Sequence, residues 1–198
     1  MPADSLARLA AHAGRPIAHT RPVRHRLPAG TNGDRLYALL DLVNGFYAFH
    51  RALHVFPDVP ADGYGEIGLT AWNAPTSWRA DFPTLDPAAF FFAEDVFGVQ
   101  FAILRERIMT FDPETGESQP VADDVEDWAE AVQYDGAMLT GWPIAQDWAA
   151  ANGSIPYGTR LVPKVPFVSG GDYSLSNLHV ADAMTAVRAR RAVHGRPV

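Results

Sequence analysis

The chain has 198 residues, of which 47% are hydrophobic and 20% are charged, and it carries a formal net charge of -7 with no cysteine. This composition is typical of one soluble globular domain, and it excludes a disulfide framework, a thiolate metal site and a cysteine nucleophile. No apolar run approaches the roughly 18 residues of a membrane-spanning helix, and the N-terminus lacks the continuous apolar stretch of a secretory signal. We therefore expect a cytoplasmic protein with no membrane partner.

Residues 1–26 are predicted to form a basic N-terminal arm, and residues 27–198 the folded domain. Arginine is frequent in the arm, and Pro16 and Pro22 interrupt any long helix. A short helix is compatible with residues 6–13. We expect the arm to be loosely held, because chain termini are often poorly ordered.

The domain begins with a predicted amphipathic helix whose apolar residues fall on one face, at Leu36, Leu39, Leu40 and Val43. Asn44-Gly45 supplies a left-handed stop, and residues 53–56 are predicted as a strand. His50 and His54 are four residues apart, a spacing that could bind a metal on a helix. No third ligand lies nearby and the segment is partly strand-like, so we expect no metal site.

Residues 58–86 are rich in Pro, Gly and Asp and contain Trp72 and Trp78. Two tryptophans in a loop-rich stretch are compatible with a recognition hot spot. Our preferred interpretation is that they pin a long loop to the core.

Three short apolar runs between residues 90 and 111 predict the centre of the sheet. They are rich in aromatic and branched residues and are separated by turn-like breaks, which is typical of an antiparallel meander. We expect Phe97 and Phe101 to be core residues beneath this sheet.

A short acidic helix is predicted between residues 121 and 134. Asp123 is the expected cap, with Glu126 reaching back towards it as in a capping box. Val125, Trp128 and Val132 form the apolar stripe that faces the core.

The stretch from residue 108 to residue 159 contains ten acidic residues and no Lys or Arg. The negative electrostatic potential of such a stretch argues against nucleic-acid binding and suits a basic partner. The alternative is a solvated face that aids solubility. The predicted partner-binding residues are the outward carboxylates of the acidic helix, Asp123, Asp124, Asp127 and Glu130.

The last part of the chain is predicted to contain a helix over residues 144–151, an extended edge strand over 160–167 and a terminal helix over 181–194. The prolines around Lys164 favour the extended form, and Gly170-Gly171 turns the chain before the last helix.

Motifs for catalysis or cofactor binding are missing from the sequence. It has no Gly-rich phosphate loop, no nucleophile elbow and no H-E-x-x-H pattern, so we predict no catalytic residue and no cofactor. Glu94 and Asp95 are an adjacent carboxylate pair, but neighbouring side chains usually face different ways. We expect Asp95 to hydrogen-bond the turn that follows it.

The order of these features resembles the SUKH superfamily of cell-wall-synthesis-regulator-like and bacterial toxin-immunity proteins. The resemblance is carried by the helix ending at Asn44-Gly45 with the strand before Pro57, Phe92-Ala93-Glu94-Asp95-Val96-Phe97-Gly98 with Phe101, Phe111-Asp112 with Thr115-Gly116, and the acidic helix with Trp128. Residues after 135 look like a tail seen in bacterial members.

The resemblance implies a single α+β domain with a mostly antiparallel sheet and helices packed mainly on one face. It also implies a non-enzymatic role, often the neutralisation of a polymorphic toxin by direct binding, so the expected partner is a protein such as a basic toxin domain. The family has no shared catalytic set, and no residue role transfers. The alternative function is a small hydrolase or ligand-binding enzyme that uses carboxylates such as Glu94 and Asp95 in a cleft.

Overall fold

Six strands, each paired antiparallel with the next one along the chain, form the central sheet. The computed structural model describes residues 4–58 and 67–194. The six strands are β1 (Phe46–Ala48), β2 (Leu53–Val55), β3 (Phe90–Glu94), β4 (Gln100–Leu104), β5 (Arg107–Phe111) and β6 (Ser118–Ala122). A separate antiparallel pair consists of β7 (Thr159–Pro163) and β8 (Leu178–Asp182). The predicted central meander is confirmed as β3, β4 and β5.

Within the described residues the helices are α1 (Ser5–Ala11), α2 (Thr31–Leu42), α3 (Leu69–Trp72), α4 (Val125–Tyr134), α5 (Gly136–Thr140), α6 (Trp142–Asn152) and α7 (Ala183–His194). The α+β fold predicted for a single domain is thus confirmed. Residues 1–3 of the predicted arm, 59–66 of the predicted loop and 195–198 of the predicted domain lie outside the described part. None of the helices described has the length and apolar character needed to cross a bilayer.

Helices α1, α2 and α4 pack against one face of the central sheet. The predicted stripe of α4 is confirmed, because Val125, Trp128 and Val132 are all buried. The Trp128 ring meets Phe92 edge-on at 4.8 Å and Phe101 at 5.5 Å between ring centroids. Burying each such side chain contributes roughly 1.5–3 kcal/mol to folding.

The opposite face carries a second layer of aromatic side chains, with α3, α7 and a short 3-10 turn at Trp78–Asp81. Trp72 and Trp78 are fully buried, and the Trp78 ring packs edge-on against Phe91 at 4.9 Å. Alternating side chains of a strand reach opposite faces, and the irregularity between Phe91 and Ala93 shifts this alternation within β3. The prediction that the tryptophans pin the loop to the core is confirmed.

The N-terminal segment is held firmly, so the expectation of a loosely held arm is wrong. Leu6 and Leu9 of α1 belong to the main core. The backbone of residues 14–18 donates three hydrogen bonds to the carbonyl groups of residues 44–47, which lie at and just before β1. The apolar face of α1 and the hydrogen bonds to residues 44–47 hold this segment in place, although its sequence is basic and contains prolines.

Phe97 and Phe101 are both buried, but in different clusters. Phe101 lies in the main core beneath the sheet, as predicted. Phe97 follows the end of β3 and belongs to a second, smaller cluster with Ala145, Ile155 and Leu161.

Candidate functional site

The turn that follows β3 is built around Asp95. Its Oδ1 accepts hydrogen bonds from the backbone N–H groups of Phe97 and Val99, both at 2.8 Å. Gly98 closes the turn with a positive φ of 81°, a conformation that glycine adopts without strain. The prediction that Asp95 bonds its own turn is confirmed.

Distant segments clamp this turn from several sides. The Val96 N–H donates to Thr140 O at 3.3 Å, and the Leu161 N–H donates to Val96 O at 2.9 Å. From α7, Arg190 Nη1 donates to Phe97 O at 2.9 Å. The turn is therefore a fixed point at which α5, β7 and α7 meet.

Gly141 allows the junction of α5 and α6 to approach the turn closely. Its φ is +68°, and a Cβ at this position would lie 2.7 Å from Val96 Cγ1 and 3.1 Å from Phe97. A larger residue would push the helices away from the turn.

A groove of about 940 Å³ lies between the turn, the β5–β6 hairpin, helices α5 and α6, and residues 167–175. Its aromatic wall contains Phe97, Phe167 and Tyr173. Phe167 and Tyr173 stack at 4.0 Å with 6° between their planes, and Phe97 meets Phe167 edge-on at 5.2 Å. These three rings hold the loop against the body of the protein.

A buried charge cluster supports this wall. Arg190 is 4% exposed, and its Nε and Nη2 donate to Glu114 Oε2 at 3.2 Å and to Asp112 Oδ1 at 2.8 Å. Glu114 Oε1 also accepts the backbone N–H of Val168 at 2.8 Å, which ties the aromatic loop to the cluster. All nitrogens of Arg190 are thus occupied by two carboxylates and a carbonyl.

The groove is strongly acidic. Its acidic lining residues are Asp95, Asp112, Glu117, Asp135 and Asp147. Arg190 is the one cation among the described lining residues, and it is already bound by Asp112 and Glu114. Burial raises the pKa of Asp95 to about 7, against the opposing effects of Arg190 and the two backbone hydrogen bonds.

Glu94, the neighbour of Asp95, lies in the interior and has its own cation. Arg160 Nε donates to Glu94 Oε1 at 2.7 Å, and His54 Nδ1 lies 3.0 Å from the same oxygen. Gln100 Nε2 donates to Oε2 at 3.1 Å. Burial alone would raise the pKa of Glu94, but Arg160 and the hydrogen bonds outweigh burial and hold the pKa below its ordinary value. The structure therefore does not bring Glu94 and Asp95 together in one cleft.

The predicted partner-binding carboxylates lie on α4 as expected, but they differ in environment. Asp127 and Glu130 are exposed, and neither forms an ion pair within the described part of the chain. Asp123 is exposed and lies 3.6 Å from Arg107.

Asp124 is the cap of α4, so the predicted capping by Asp123 is wrong. Its Oδ1 accepts the N–H groups of Glu126 at 2.8 Å and Asp127 at 3.0 Å, and its other oxygen pairs with Arg35. Glu126 does not reach back to the cap, because its carboxylate accepts the backbone N–H of Ser5 at 2.6 Å. The helix begins one residue later than the sequence pattern indicates.

Large apolar side chains are exposed in the segments around the groove. Tyr134 at the end of α4 is 93% exposed, Met138 on α5 is 79% exposed, and Tyr173 is 69% exposed. Trp142 and Val168 are also partly exposed. Exposed apolar side chains that cluster beside a concave surface are typical of interaction sites.

His50 and His54 do not form a metal site together. His54 is buried against Glu94, whereas His50 is exposed in the turn between β1 and β2. Across residues 4–58 and 67–194, no group of three or more His, Asp and Glu side chains is arranged to hold a metal ion.

Sequence reasoning missed the groove itself. Arg190 and Glu114 are 76 residues apart in the chain, and neither belongs to a local motif. The one sequence signal was Gly170-Gly171, which marks the turn of the aromatic loop. A Cβ at Gly171 would lie 1.9 Å from Val165 O, so this glycine is needed for the loop to close.

Comparison with known proteins supports the fold and leaves the function open. No family model and no curated protein matches the chain. Among solved structures, Atu4351 from Agrobacterium tumefaciens is similar, with a TM-score of 0.56 and 14% sequence identity, over 100% of this chain and 90% of that chain. At this identity the likeness shows the fold alone, and the SUKH assignment stays a prediction.

Proposed function

We propose that this chain is a non-enzymatic protein-binding domain that recognises a basic partner through the acidic groove and the neighbouring outer face of α4. The observation that carries the proposal is that exposed Met138 and Tyr173 line the groove together with its carboxylates, while exposed Tyr134 precedes the lining residue Asp135. Protein interfaces are enriched in aromatic residues and Met at their centre and carry a polar rim.

The charge distribution supports a cationic partner. The groove carries five lining carboxylates, and Asp127 and Glu130 extend the negative surface along α4. Burial and the neighbouring Asp124 and Asp123 carboxylates raise the pKa of Asp127. A basic partner would relieve this repulsion, and a negative surface would steer it during diffusional encounter. The same charges disfavour nucleic acid.

The resemblance to SUKH proteins suggests which partner to test first. We propose that the domain acts in the cytoplasm as an immunity-type protein that neutralises a cognate polymorphic toxin by direct binding. A toxin domain encoded beside this gene is the candidate, because such pairs commonly share a locus.

The geometry gives no such support to the alternative of a hydrolase that uses Glu94 and Asp95 together. Glu94 is fully buried and bound to Arg160. A general acid or base must reach the proton that it transfers, and Glu94 faces the interior while Asp95 faces the groove.

The proposal predicts that the double change Asp127→Lys and Glu130→Lys slows association with the neighbouring toxin domain severalfold at low salt, measured by stopped-flow fluorescence. The difference should shrink as salt is raised, because surface charges are screened over about 8–10 Å at 0.1–0.15 M ionic strength.

The control for net charge is Asp34→Lys with Asp41→Lys, which makes the same change in net charge on exposed positions of α2. These two carboxylates pair with Arg24 and Arg21, so the fold of the control is checked by circular dichroism before association is measured. If the control slows association equally, the effect comes from net charge and the proposed surface is wrong. Unaltered association of the α4 variant at low salt would also contradict the proposal.

A further inference from the structure

Asp95 has a hydrogen-bonding capacity that the fold leaves unused. The residue is 6% exposed and lines the groove. Its Oδ1 is occupied by the turn, but Oδ2 accepts no hydrogen bond from the residues that the structure describes. Asp95 Oδ2 is not one of the fully buried side-chain atoms that lack a partner, so it is accessible from the groove. Buried carboxylates are normally hydrogen-bonded or paired with a cation, so a mostly buried carboxyl that turns its one unbonded oxygen to a groove points to a ligand.

Nothing nearby neutralises this carboxyl. Arg190 influences Asp95 electrostatically, but its side-chain nitrogens donate to Asp112, Glu114 and Phe97 O. Three carboxyl groups therefore share one guanidinium at this end of the groove. When all three are ionised, this end of the groove lacks two positive charges, and Asp95 is the carboxyl that Arg190 does not contact.

The walls around Asp95 suit the aliphatic part of a long cationic side chain. Phe97 and Tyr173 meet edge-on, with 5.8 Å between their centroids. Met138 lines the same groove and is largely exposed. Lys and Arg side chains commonly lay their methylene groups along apolar surfaces and place the charged end on a polar group, and aromatic faces attract cations.

Building on the proposed function, we propose that Asp95 is the anchor of the groove and binds one Arg or Lys side chain of the partner protein through Oδ2. The methylene groups of that side chain lie along Phe97, Tyr173 and Met138, and the outer carboxylates of the groove attract it without contacting its charged end.

Binding should depend on pH. Burial raises the pKa of Asp95 to about 7, whereas a bound cation favours the ionised carboxylate. Between pH 8 and pH 6 the ionised fraction falls from about nine tenths to about one tenth, so the dissociation constant should rise about tenfold. The charged and titratable groups of the packed elements that bear on Asp95 are Arg190 of α7, Asp112 and Glu114 of the β5–β6 hairpin, Tyr173 of the loop, and Glu117, Asp135 and Asp147 of the outer groove.

The test uses the full chain and synthetic peptides. A library of acetylated, amidated dodecapeptides carries Arg at its centre, with Leu, Ala, Ser and Gly at random in the other positions. The tightest binders are then remade with Lys or with citrulline, the neutral isostere of Arg, at the centre. Their dissociation constants are measured by fluorescence anisotropy at pH 6 and pH 8.

We expect the Arg peptide to bind at least tenfold more tightly than its citrulline counterpart at pH 8, and this preference to be largely lost at pH 6. Asp95→Asn is the decisive variant, because the Asn Oδ1 can still accept both turn hydrogen bonds while its amide replaces Oδ2. In this variant only the small, salt-dependent preference due to the outer carboxylates should remain, and it should be the same at pH 6 and pH 8.

A measurement on the unmodified protein keeps the inference testable even where the variant misfolds. Calorimetry at pH 7 in buffers of different ionisation enthalpy should show release of about half a proton when the Arg peptide binds, and none when the citrulline peptide binds.

If Asp95→Asn keeps the full preference for Arg, Asp95 is not the anchor, but binding of basic peptides would still support the proposed function. If no library peptide binds while the toxin domain does, the proposal that Asp95 is the anchor is again wrong, and the proposed function stands. Equal binding of Arg and citrulline peptides by the unmodified protein, without proton release, would also overturn the inference.

Discussion

Glu94 and Asp95 are adjacent carboxyl groups, and the fold places them in opposite environments. Glu94 points into the interior, where Arg160 binds it at 2.7 Å and its pKa is lowered by that cation and its hydrogen bonds despite burial. Asp95 is buried almost as deeply, but the nearest guanidinium, that of Arg190, is taken by Asp112 and Glu114. Burial accordingly raises the pKa of Asp95 to about 7.

Glu94 therefore has a cationic partner within the fold, whereas Asp95 has none of its own. A buried ion pair contributes little net stability, but removing one partner is strongly destabilising. Asp95 resembles a pair with one partner removed, and its ionised form lowers the stability of the free protein. A cationic partner would recover that energy as binding energy.

The largest expected effect comes from removing the cation of Glu94. Arg160→Leu should lower the free energy of unfolding by about 3–5 kcal/mol, because it leaves an uncompensated charge in the interior. The measurement is urea denaturation at pH 7.

The matched control for this prediction is the double variant Arg160→Leu with Glu94→Gln, which removes both charges and should regain part of the loss. A decrease below about 1 kcal/mol for Arg160→Leu alone would show that Glu94 does not depend on Arg160.

The second prediction concerns the stability contribution of Asp95 as a function of pH. In the unfolded chain Asp95 ionises near the ordinary aspartate pKa of 3.8, whereas burial raises the folded pKa to about 7. Between these values the folded state holds a proton that the unfolded state lacks, so stability falls as pH rises, by about 1.4 kcal/mol per pH unit. Asp95→Asn removes this loss. Its unfolding free energy should match that of the unmodified protein near pH 4 and exceed it by up to about 4 kcal/mol at pH 8.

Glu94→Gln provides the comparison of opposite sign. The folded pKa of Glu94 is lowered, so its contribution to stability is present above the ordinary glutamate pKa of 4.5 and is lost as pH falls below it. This variant should therefore be less stable than the unmodified protein at pH 7, with a difference that shrinks on acidification. Parallel pH profiles for the two variants would contradict the contrast between the two carboxyl groups.

The sequence was sufficient to predict the meander, the apolar stripe of α4 and the burial of Trp72 and Trp78. These features depend on local periodicity and on ring size, which a single chain displays directly. It also predicted that Glu94 and Asp95 would face different ways, because side chains on successive residues of a strand point to opposite faces.

The sequence could not predict which cation each carboxyl meets. Arg160 lies 66 residues beyond Glu94, and the Phe97 carbonyl is bonded by Arg190, 93 residues away. Contacts of this separation depend on how β7 and α7 pack, and no local pattern encodes them. The prediction of a loosely held N-terminal arm was wrong for a related reason. Leu6 and Leu9 are buried in the main core with residues of α4, which is distant in the sequence.

The smallest expected effect tests whether stability and binding can be separated. Arg105 and Glu106 form the two-residue turn between β4 and β5, with φ values of 49° and 63°. Turns of this kind favour glycine, because a side chain in the left-handed region is strained. Glu106→Gly should raise the free energy of unfolding by about 0.5–1 kcal/mol, after the greater freedom of glycine in the unfolded chain is taken into account.

Glu106→Ala is the control, since it removes the same carboxylate but keeps the Cβ and hence the strain. Asn32 Nδ2 donates to the backbone carbonyl of Glu106 at 2.9 Å, and not to its side chain, so this contact survives both changes. Equal stabilisation by Gly and Ala would show that charge, and not backbone strain, is responsible. In contrast to Asp95→Asn, Glu106→Gly should leave the preference for Arg over citrulline peptides unchanged, because the turn lies outside the groove. Loss of that preference would mean that added stability by itself weakens binding. The loss of folding free energy caused by ionised Asp95 would then not be specifically related to binding of the partner.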